Sequence, residues 1–125
     1  VEFSEAVLIL NKTNNIHFIT SQADNEVENR IKRMTKVSSQ TGFINLFERD
    51  DSIQQKWVDL MNAHPKRFVL AVDRVFAGSW LKYKDKIHLW RKALAKLDKK
   101  SSALIACGNA NEYFKLEIEC VSERS

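Results

Sequence analysis

The stretch KYKDKIHLWRKALAKLDKK, residues 82–100, carries the strongest structural and functional signals in this sequence. Its apolar residues recur at helical spacing, and Asp85 is suited to cap the start of a helix. A helix from Lys86 to about Asp98 is therefore predicted, with a basic outer face. Its inward-facing residues are Ile87, Trp90, Ala93, Leu94 and Leu97.

The charge of the chain is concentrated in the same stretch. Residues 82–100 hold eight Lys or Arg against two Asp, whereas residues 1–81 balance at ten basic and ten acidic side chains. Residues 101–125 hold two basic and four acidic side chains, so the whole positive excess of the chain, whose formal net charge is +4, lies in the nineteen residues 82–100. A basic patch so confined indicates an anionic partner, and nucleic acid is the leading candidate.

The N-terminal part of the chain is predicted to begin with a β-hairpin. Residues 6–10 (AVLIL) and 16–20 (IHFIT) are short β-rich runs, and residues 12–15 between them are typical of a turn. A helix is predicted over 24–37, because its apolar residues recur at helical spacing and its charges suit the helix dipole. Residues 43–47 (FINLF) are predicted to form a short extended segment.

The middle of the chain is predicted to contain two helices separated by a proline. Ser52 and Gln55 form a capping-box pattern, and helical spacing continues to about Ala63. Pro65 ends this helix and can open the next one. Residues 66–83 place large apolar side chains on one helical face and are predicted as a helix, although residues 67–72 alone also fit a buried strand.

The C-terminal part is predicted to be a second hairpin. Residues 103–107 and 113–121 are its strands, residues 108–111 are its turn, and apolar residues alternate with charged ones along the last strand. The predicted fold is a single α+β domain spanning 1–125, with hairpins near both termini and about four intervening helices. The chain is expected to be a fragment of a larger DNA- or RNA-processing protein.

The two cysteines, together with the lack of a visible targeting signal, are used to predict the cellular compartment of the protein. Cys107 and Cys120 are interpreted as buried thiols, since the chain has no other features of a disulfide scaffold. A cytoplasmic location is therefore expected, or a nuclear one in a eukaryote. No membrane span or secretory signal is visible. The triplet Asn11-Lys12-Thr13 fits an N-glycosylation acceptor but is set aside, because nothing else in the sequence points to secretion.

The predicted binding site is the basic face of the helix over 86–98. His88, Lys92, Lys96 and Lys99 are spaced by four, four and three residues and form a ridge away from the core. Phosphate contacts need only positive charge at suitable positions, so such a ridge can bind DNA or RNA without a known motif. The predicted nucleic-acid-binding residues are Lys82, Lys84, Lys86, His88, Arg91, Lys92, Lys96, Lys99 and Lys100. A solvated helix face that only keeps the domain soluble is the alternative.

Two aromatic residues precede the basic ridge. Trp80 and Tyr83 could stack on bases if their rings are exposed. Their positions fit the inward face of the helix predicted over 66–83, and this favours a place in the core.

Two other functions remain open. In the first, the domain is a protein-interaction or assembly module whose ridge meets an acidic partner and whose residues 113–121 offer an edge strand. In the second, it is a small metal-dependent nuclease with Asp73, Glu117 and Glu119 around one divalent ion. The nuclease requires a strand before Asp73, where a helix is predicted. The chain is therefore predicted not to be an enzyme.

No cofactor or metal site is predicted. The three histidines lie far apart in sequence, and the cysteines lack the short spacing of a zinc site. Three isolated glycines exclude a P-loop and a dinucleotide-binding loop.

Overall fold

A computed structural model describes residues 2–21, 23, 46–72 and 80–120. The helix predicted over 24–37 and the start of the segment predicted over 43–47 lie outside these residues. The described elements are α1 (Phe3–Lys12), β1 (Phe18–Ile19), α2 (Gln55–Ala63), a 3₁₀ turn (Pro65–Arg67), β2 (Phe68–Val69), α3 (Tyr83–Leu94), α4 (Lys99–Ala103), a π-helical segment (Leu104–Gly108) and α5 (Asn109–Phe114). Helices and a small sheet therefore occur together, as the α+β prediction required.

The N-terminal hairpin prediction is wrong, because residues 6–10 belong to helix α1. The local run of Val, Leu and Ile suggested a strand, but Phe3, Ala6, Val7 and Leu10 recur at the i, i+3, i+4, i+7 spacing of one helical face. Ala6 and Leu10 are buried, and the ring of Phe3 packs edge-on against Trp57, with 5.1 Å between centroids. Tertiary packing of this face therefore overrides the β preference of the individual residues.

The described sheet is a parallel pair rather than a hairpin. Phe18 is paired with Phe68 and Ile19 with Val69. Parallel strands need a long crossover connection, which the chain between β1 and β2 supplies. Because the partners are some fifty residues apart, local turn chemistry could not have indicated the pairing.

Thr20 extends the pairing beyond the two strands. Its backbone N–H donates to the Val69 carbonyl at 3.0 Å. Its hydroxyl donates to the Ala71 carbonyl at 3.0 Å and accepts from the Ala71 N–H at 2.9 Å. Thr20 is buried, so these bonds satisfy polar groups that water does not reach.

Helix α2 confirms the predicted helix of 52–63, with a later start. Ser52 does not cap it, because the Ser52 hydroxyl donates to the Asp50 carboxylate at 2.6 Å. This bond and a second from the Ser52 N–H lower the pKa of Asp50. Before the helix, Phe47 forms an antiparallel bridge with Ile53, which confirms the extended prediction at Phe47.

The helix predicted over 66–83 is wrong at its start, where the strand alternative is correct. Residues 65–67 form a single 3₁₀ turn and residues 68–69 form β2. Phe68 and Val69 are consecutive and both buried, as expected for a strand that is covered on two faces. A short apolar run of this kind fits a buried helix equally well, so the sequence alone did not distinguish the two.

The C-terminal hairpin prediction is also wrong, because residues 99–114 are helical throughout, from α4 through the π segment to α5. Lys115 and Glu117 then adopt positive φ angles of 51° and 54°, which interrupt any strand over 113–121. The alternating pattern therefore does not define a buried face. Its apolar members Phe114, Leu116 and Ile118 are exposed.

A disulfide joins Cys107 in the π segment to Cys120 in the tail, so the interpretation of both cysteines as free thiols is wrong. Their Cα atoms lie 5.7 Å apart, within the range that disulfides require. Asn111 adds two hydrogen bonds to the same tail, donating to the Ile118 carbonyl and accepting from the Ile118 N–H. The tail is thereby held against the end of the helical run.

The helical run over 99–114 covers the edge of β2 that β1 leaves open. The Leu70 N–H donates to the Ile105 carbonyl at 3.0 Å. The side-chain amide of Asn109, which is fully buried, donates to the Pro65 and Phe68 carbonyls, both at 2.7 Å. Backbone groups near β2 therefore find their partners in a helix instead of a third strand.

The core lies between α1, α2, β2, α3 and the helical run. Its buried apolar residues form one cluster, consistent with a single small domain. They are Ala6, Leu10, Leu46, Phe47, Ile53, Trp57, Val58, Leu60, Met61, Phe68, Trp90, Ala93, Leu97 and Ile105.

Asn109→Ala tests the role of this buried amide. The substitution removes the donor for two carbonyls, one of them fully enclosed, and is expected to lower the free energy of unfolding by about 2–3 kcal/mol. Urea denaturation measures the change. Asn14→Ala at an exposed position is the control and is expected to change stability by less than about 0.5 kcal/mol. Equal stabilities of the two variants would contradict the assigned role.

The disulfide has a separate expected contribution. Its cysteines are 13 residues apart, and closing a loop of this size stabilises a folded protein by about 3 kcal/mol. The double substitution Cys107→Ser, Cys120→Ser is expected to show this loss in urea denaturation. The parent protein with a reductant should match the double variant, and a reductant should leave the double variant unchanged.

Candidate nucleic-acid interface

Helix α3 confirms the amphipathic helix predicted from residues 82–100, although it begins at Tyr83 and ends at Leu94. Lys82 takes the N-cap position that was predicted for Asp85. The inward face is anchored by Trp90, which is 3% exposed and packs edge-on against Phe47 with 5.0 Å between ring centroids. This contact fixes the rotation of α3, and therefore decides which of its basic residues face water.

Five of the predicted binding residues are exposed on or beside α3. Lys84, His88 and Lys92 recur at i, i+4 and i+8 and therefore form one stripe on the outer face. Lys82, at the N-cap, and Arg91, within the helix, are also exposed. We call the set the α3 cationic face: Lys82, Lys84, His88, Arg91 and Lys92.

The stripe lines an open groove of about 420 Å³. Its other lining residues are Asp51, Asp85 and Leu89. Asp51 is contributed by the loop before α2 and has a positive φ of 63°, a conformation that Asp tolerates better than most residues. The groove thus joins two parts of the chain that are more than thirty residues apart.

Two acidic residues lie next to the cationic face and partly offset its positive charge. Asp85 lies in the first turn of α3, where a negative charge is favourable for the helix dipole, and Asp51 faces the stripe across the groove. The groove is therefore lined by both acidic and basic side chains.

Lys86 is not part of the exposed surface, in contrast to the prediction. It is 8% exposed because it is four residues before Trp90 and seven before Ala93, on the stripe that faces the core. The i, i+4, i+7 spacing of these three residues was visible in the sequence and could have excluded Lys86 from the site.

The ridge predicted along a single helix is interrupted after Lys92. Helix α3 ends at Leu94, Lys96 lies in the following turn, and Lys99 and Lys100 begin α4. These three lysines are exposed but belong to a different turn and helix.

Asp98 is the physical reason for this break. Its carboxylate caps α4 by accepting from the Ser101 N–H at 2.8 Å, and its own N–H donates to the side-chain oxygen of Asn62 at 3.1 Å. The bonds from Ser101 lower the pKa of Asp98, and the charge of Lys100 acts in the same direction. An Asp followed three residues later by Ser101 and by helix-forming residues is a start signal that the sequence contained.

Trp80 and Tyr83 are exposed, so the preference for a place in the core is wrong. Trp80 is 59% exposed and Tyr83 is 40% exposed, with 5.7 Å between their ring centroids. They lie immediately before and at the start of α3, adjacent in sequence to Lys82 and Lys84. Two accessible aromatic rings therefore lie at the start of α3, next in sequence to the first lysines of the cationic face.

Arg67, which follows Lys66 in the 3₁₀ turn, uses its side chain for hydrogen bonds within the fold. Its guanidinium donates to the Thr13 carbonyl at 2.8 Å, to the Thr13 hydroxyl at 2.9 Å and to the Ile16 carbonyl at 2.5 Å. It ties the end of α1 to the turn before β2. Lys66 remains exposed, while its carbonyl accepts from the Tyr113 hydroxyl.

The carboxylates of the nuclease hypothesis do not form a site in the described part of the chain. Glu117 and Glu119 are exposed on the non-helical tail, and Asp73 lies outside the described residues. No group of three or more His, Cys, Asp or Glu among the residues described could hold a metal ion.

Comparisons with known proteins add no assignment: no protein family, curated protein or solved structure matches this chain. Within the described ranges, no helix has the length and apolar character needed to cross a bilayer.

Substitution of two tryptophans, Trp80 before α3 and Trp90 within it, should reduce stability by very different amounts. Trp90→Ala removes a buried aromatic from the core and is expected to cost about 3–5 kcal/mol of stability. Trp80→Ala changes an exposed side chain and is expected to cost less than about 0.5 kcal/mol. Thermal melts of both variants measure the difference, and a large loss for Trp80→Ala would show that its ring supports the fold.

Proposed function

We propose that this domain binds single-stranded nucleic acid through the α3 cationic face and the adjoining Trp80–Tyr83 pair. The observation that carries the proposal is the exposure of both rings at the start of a helix that also exposes basic side chains. Single strands present bases that can stack on such rings, together with phosphates that basic residues neutralise. The domain acts in this proposal as a binding module and not as an enzyme.

In this proposal the basic residues of α3 contact the phosphate backbone and the two aromatic rings contact the bases. Lys84, His88 and Lys92 are about 6 Å apart along the helix axis, since each step is four residues at a rise of about 1.5 Å. They contact the backbone at successive points, and contacts of this kind carry no sequence information. Stacking on Trp80 and Tyr83 tolerates every base. Binding with little sequence preference is expected.

Single strands are favoured over duplex because of the aromatic pair. In a duplex the faces of internal bases are covered by their neighbours, so Trp80 and Tyr83 would contribute little. Stacking on an aromatic side chain contributes about 1–3 kcal/mol per base in single-strand binding. The cationic face alone would bind both forms.

The disulfide changes the expected location of this interaction. The cytoplasmic or nuclear prediction rested on free thiols, and the bond between Cys107 and Cys120 removes that support. Disulfides persist in oxidising compartments. The proposal therefore places the encounter with nucleic acid outside the reducing cytosol, and the same reason makes a sulfated polysaccharide the second candidate ligand. Such a polymer offers anionic groups to α3 but no bases to Trp80.

The assembly-module alternative has less support. It required an edge strand over 113–121, and residues 113–120 instead form the end of α5 and a tail with two positive φ angles. An acidic protein partner for the cationic face remains an outcome that binding experiments can detect.

Fluorescence anisotropy with labelled single-stranded, duplex and heparin probes tests the proposal at low and physiological salt. Trp80→Ala is expected to weaken single-strand binding by about 5- to 150-fold, the loss of one stacked base, and to leave heparin and duplex binding unchanged. Lys84→Glu with Lys92→Glu is expected to weaken binding to all three probes and to lower the salt dependence by about one counterion per residue.

Lys12→Glu with Lys115→Glu is the matched control, because both lysines are exposed, lie outside the site and give the same change in net charge. It should affect binding far less than the α3 pair. Equal effects of the two pairs would show that only the net charge attracts the probe. Binding that resists Trp80→Ala but not the α3 pair would assign the face to polyanions without bases, and no binding by the parent protein would reject the proposal.

A further inference from the structure

We infer that Asn11 carries an N-linked glycan. Asn11-Lys12-Thr13 matches the acceptor triplet for this modification. In the transfer, the side-chain amide nitrogen of Asn11 bonds to the anomeric carbon of an oligosaccharide held on a lipid diphosphate. The bond from that carbon to the diphosphate oxygen breaks, the amide loses one proton, and the lipid diphosphate leaves.

The disulfide supplies the condition that the triplet alone lacks. The asparagine of such a triplet is glycosylated only in a protein that passes through the secretory pathway. Disulfides form in the same pathway. The bond between Cys107 and Cys120 lies at the other end of the chain and depends on different chemistry. The disulfide therefore indicates a compartment in which the triplet can be modified.

The position of Asn11 in the fold is compatible with a large substituent. Asn11 lies in the last turn of α1 and is exposed, whereas Ala6 and Leu10 face the core. A glycan attached at this position projects into solvent and displaces no core residue.

An exposed apolar residue lies beside the attachment point. Leu8 is 53% exposed and precedes Asn11 by three residues, so the two side chains are neighbours on the helix surface. The first sugar residues of a glycan on Asn11 would cover Leu8. The glycan thereby accounts for an exposed leucine on a helix whose opposite face is buried.

The order of modification and folding is fixed by Thr13. In the folded protein its hydroxyl donates to the Ile9 carbonyl at 2.7 Å and accepts from Arg67 at 2.9 Å. Asn11 and Lys12 are helical and the Thr13 hydroxyl is engaged in these bonds, so the triplet as a whole is not extended. Transfer therefore precedes folding of α1, and the finished fold retains the glycan at its surface.

The sequence makes the site unambiguous. The chain contains no second Asn-x-Ser or Asn-x-Thr triplet, so one glycan at one position is expected.

The test uses the endogenous protein, captured by antibody from the cells that produce it. It is alkylated without reduction, digested, and treated with peptide N-glycosidase, which converts a glycosylated asparagine to aspartate. Mass spectrometry of the peptide that contains Asn11 is expected to show this conversion in the treated sample and not in an untreated one. Cys107 and Cys120 are expected to resist alkylation. Recovery of mostly unmodified Asn11 peptide, or alkylation of both cysteines, would overturn the inference.

Recombinant chains directed into the secretory pathway of an animal cell line assign the position. Asn11→Gln should abolish the mobility shift on glycosidase treatment, whereas Asn14→Gln, three residues further and outside any triplet, should retain it. Thr13→Ser keeps the hydroxyl and should remain modified. Failure of Asn11→Gln to remove the shift would contradict the assignment. The nucleic-acid binding measurements can be made on Asn11→Gln protein, which carries no glycan at this position, so the two proposals fail independently.

Discussion

The burial of β2 is the constraint on which the rest of the described structure depends. This strand has a parallel partner on one side only, and the backbone beyond it must find hydrogen bonds elsewhere. The helical run over 99–114 provides them through the Ile105 carbonyl and the Asn109 amide. The requirement that a helix lie against β2 explains why residues 103–107, which look like a strand in isolation, are helical.

The orientation of α3 is a second consequence of core packing. The packing of Trp90 against Phe47 places one stripe of α3 in the interior. Lys86 lies on the same stripe and is therefore buried. The opposite stripe is then exposed, and the loop that contains Asp51 faces it across the groove. The candidate interface is therefore a product of how α3 packs, because the same basic residues on a differently rotated helix would present another surface.

The cysteines show how one tertiary contact changes a biological interpretation. In sequence, the two cysteines are interpreted as buried thiols, because the chain has no other features of a disulfide scaffold. The return of the tail onto the π segment brings them into bonding distance. The compartment indicated by the bond gives meaning to the triplet at Asn11 and widens the candidate ligands of α3 from nucleic acids to other polyanions.

The sequence by itself determined the elements whose signals are local. Helix α2, helix α3 and the concentration of charge over 82–100 follow from spacing and composition, which act within a few residues. Only the tertiary structure decided α1 against a strand, β2 against a helix, and the helical run against a hairpin. In each case a short apolar run fits both conformations, and the choice depends on partners far away in sequence, such as Trp57 for α1 and β1 for β2. The exposure of Trp80 and the burial of Lys86 were likewise fixed by the packing of whole elements.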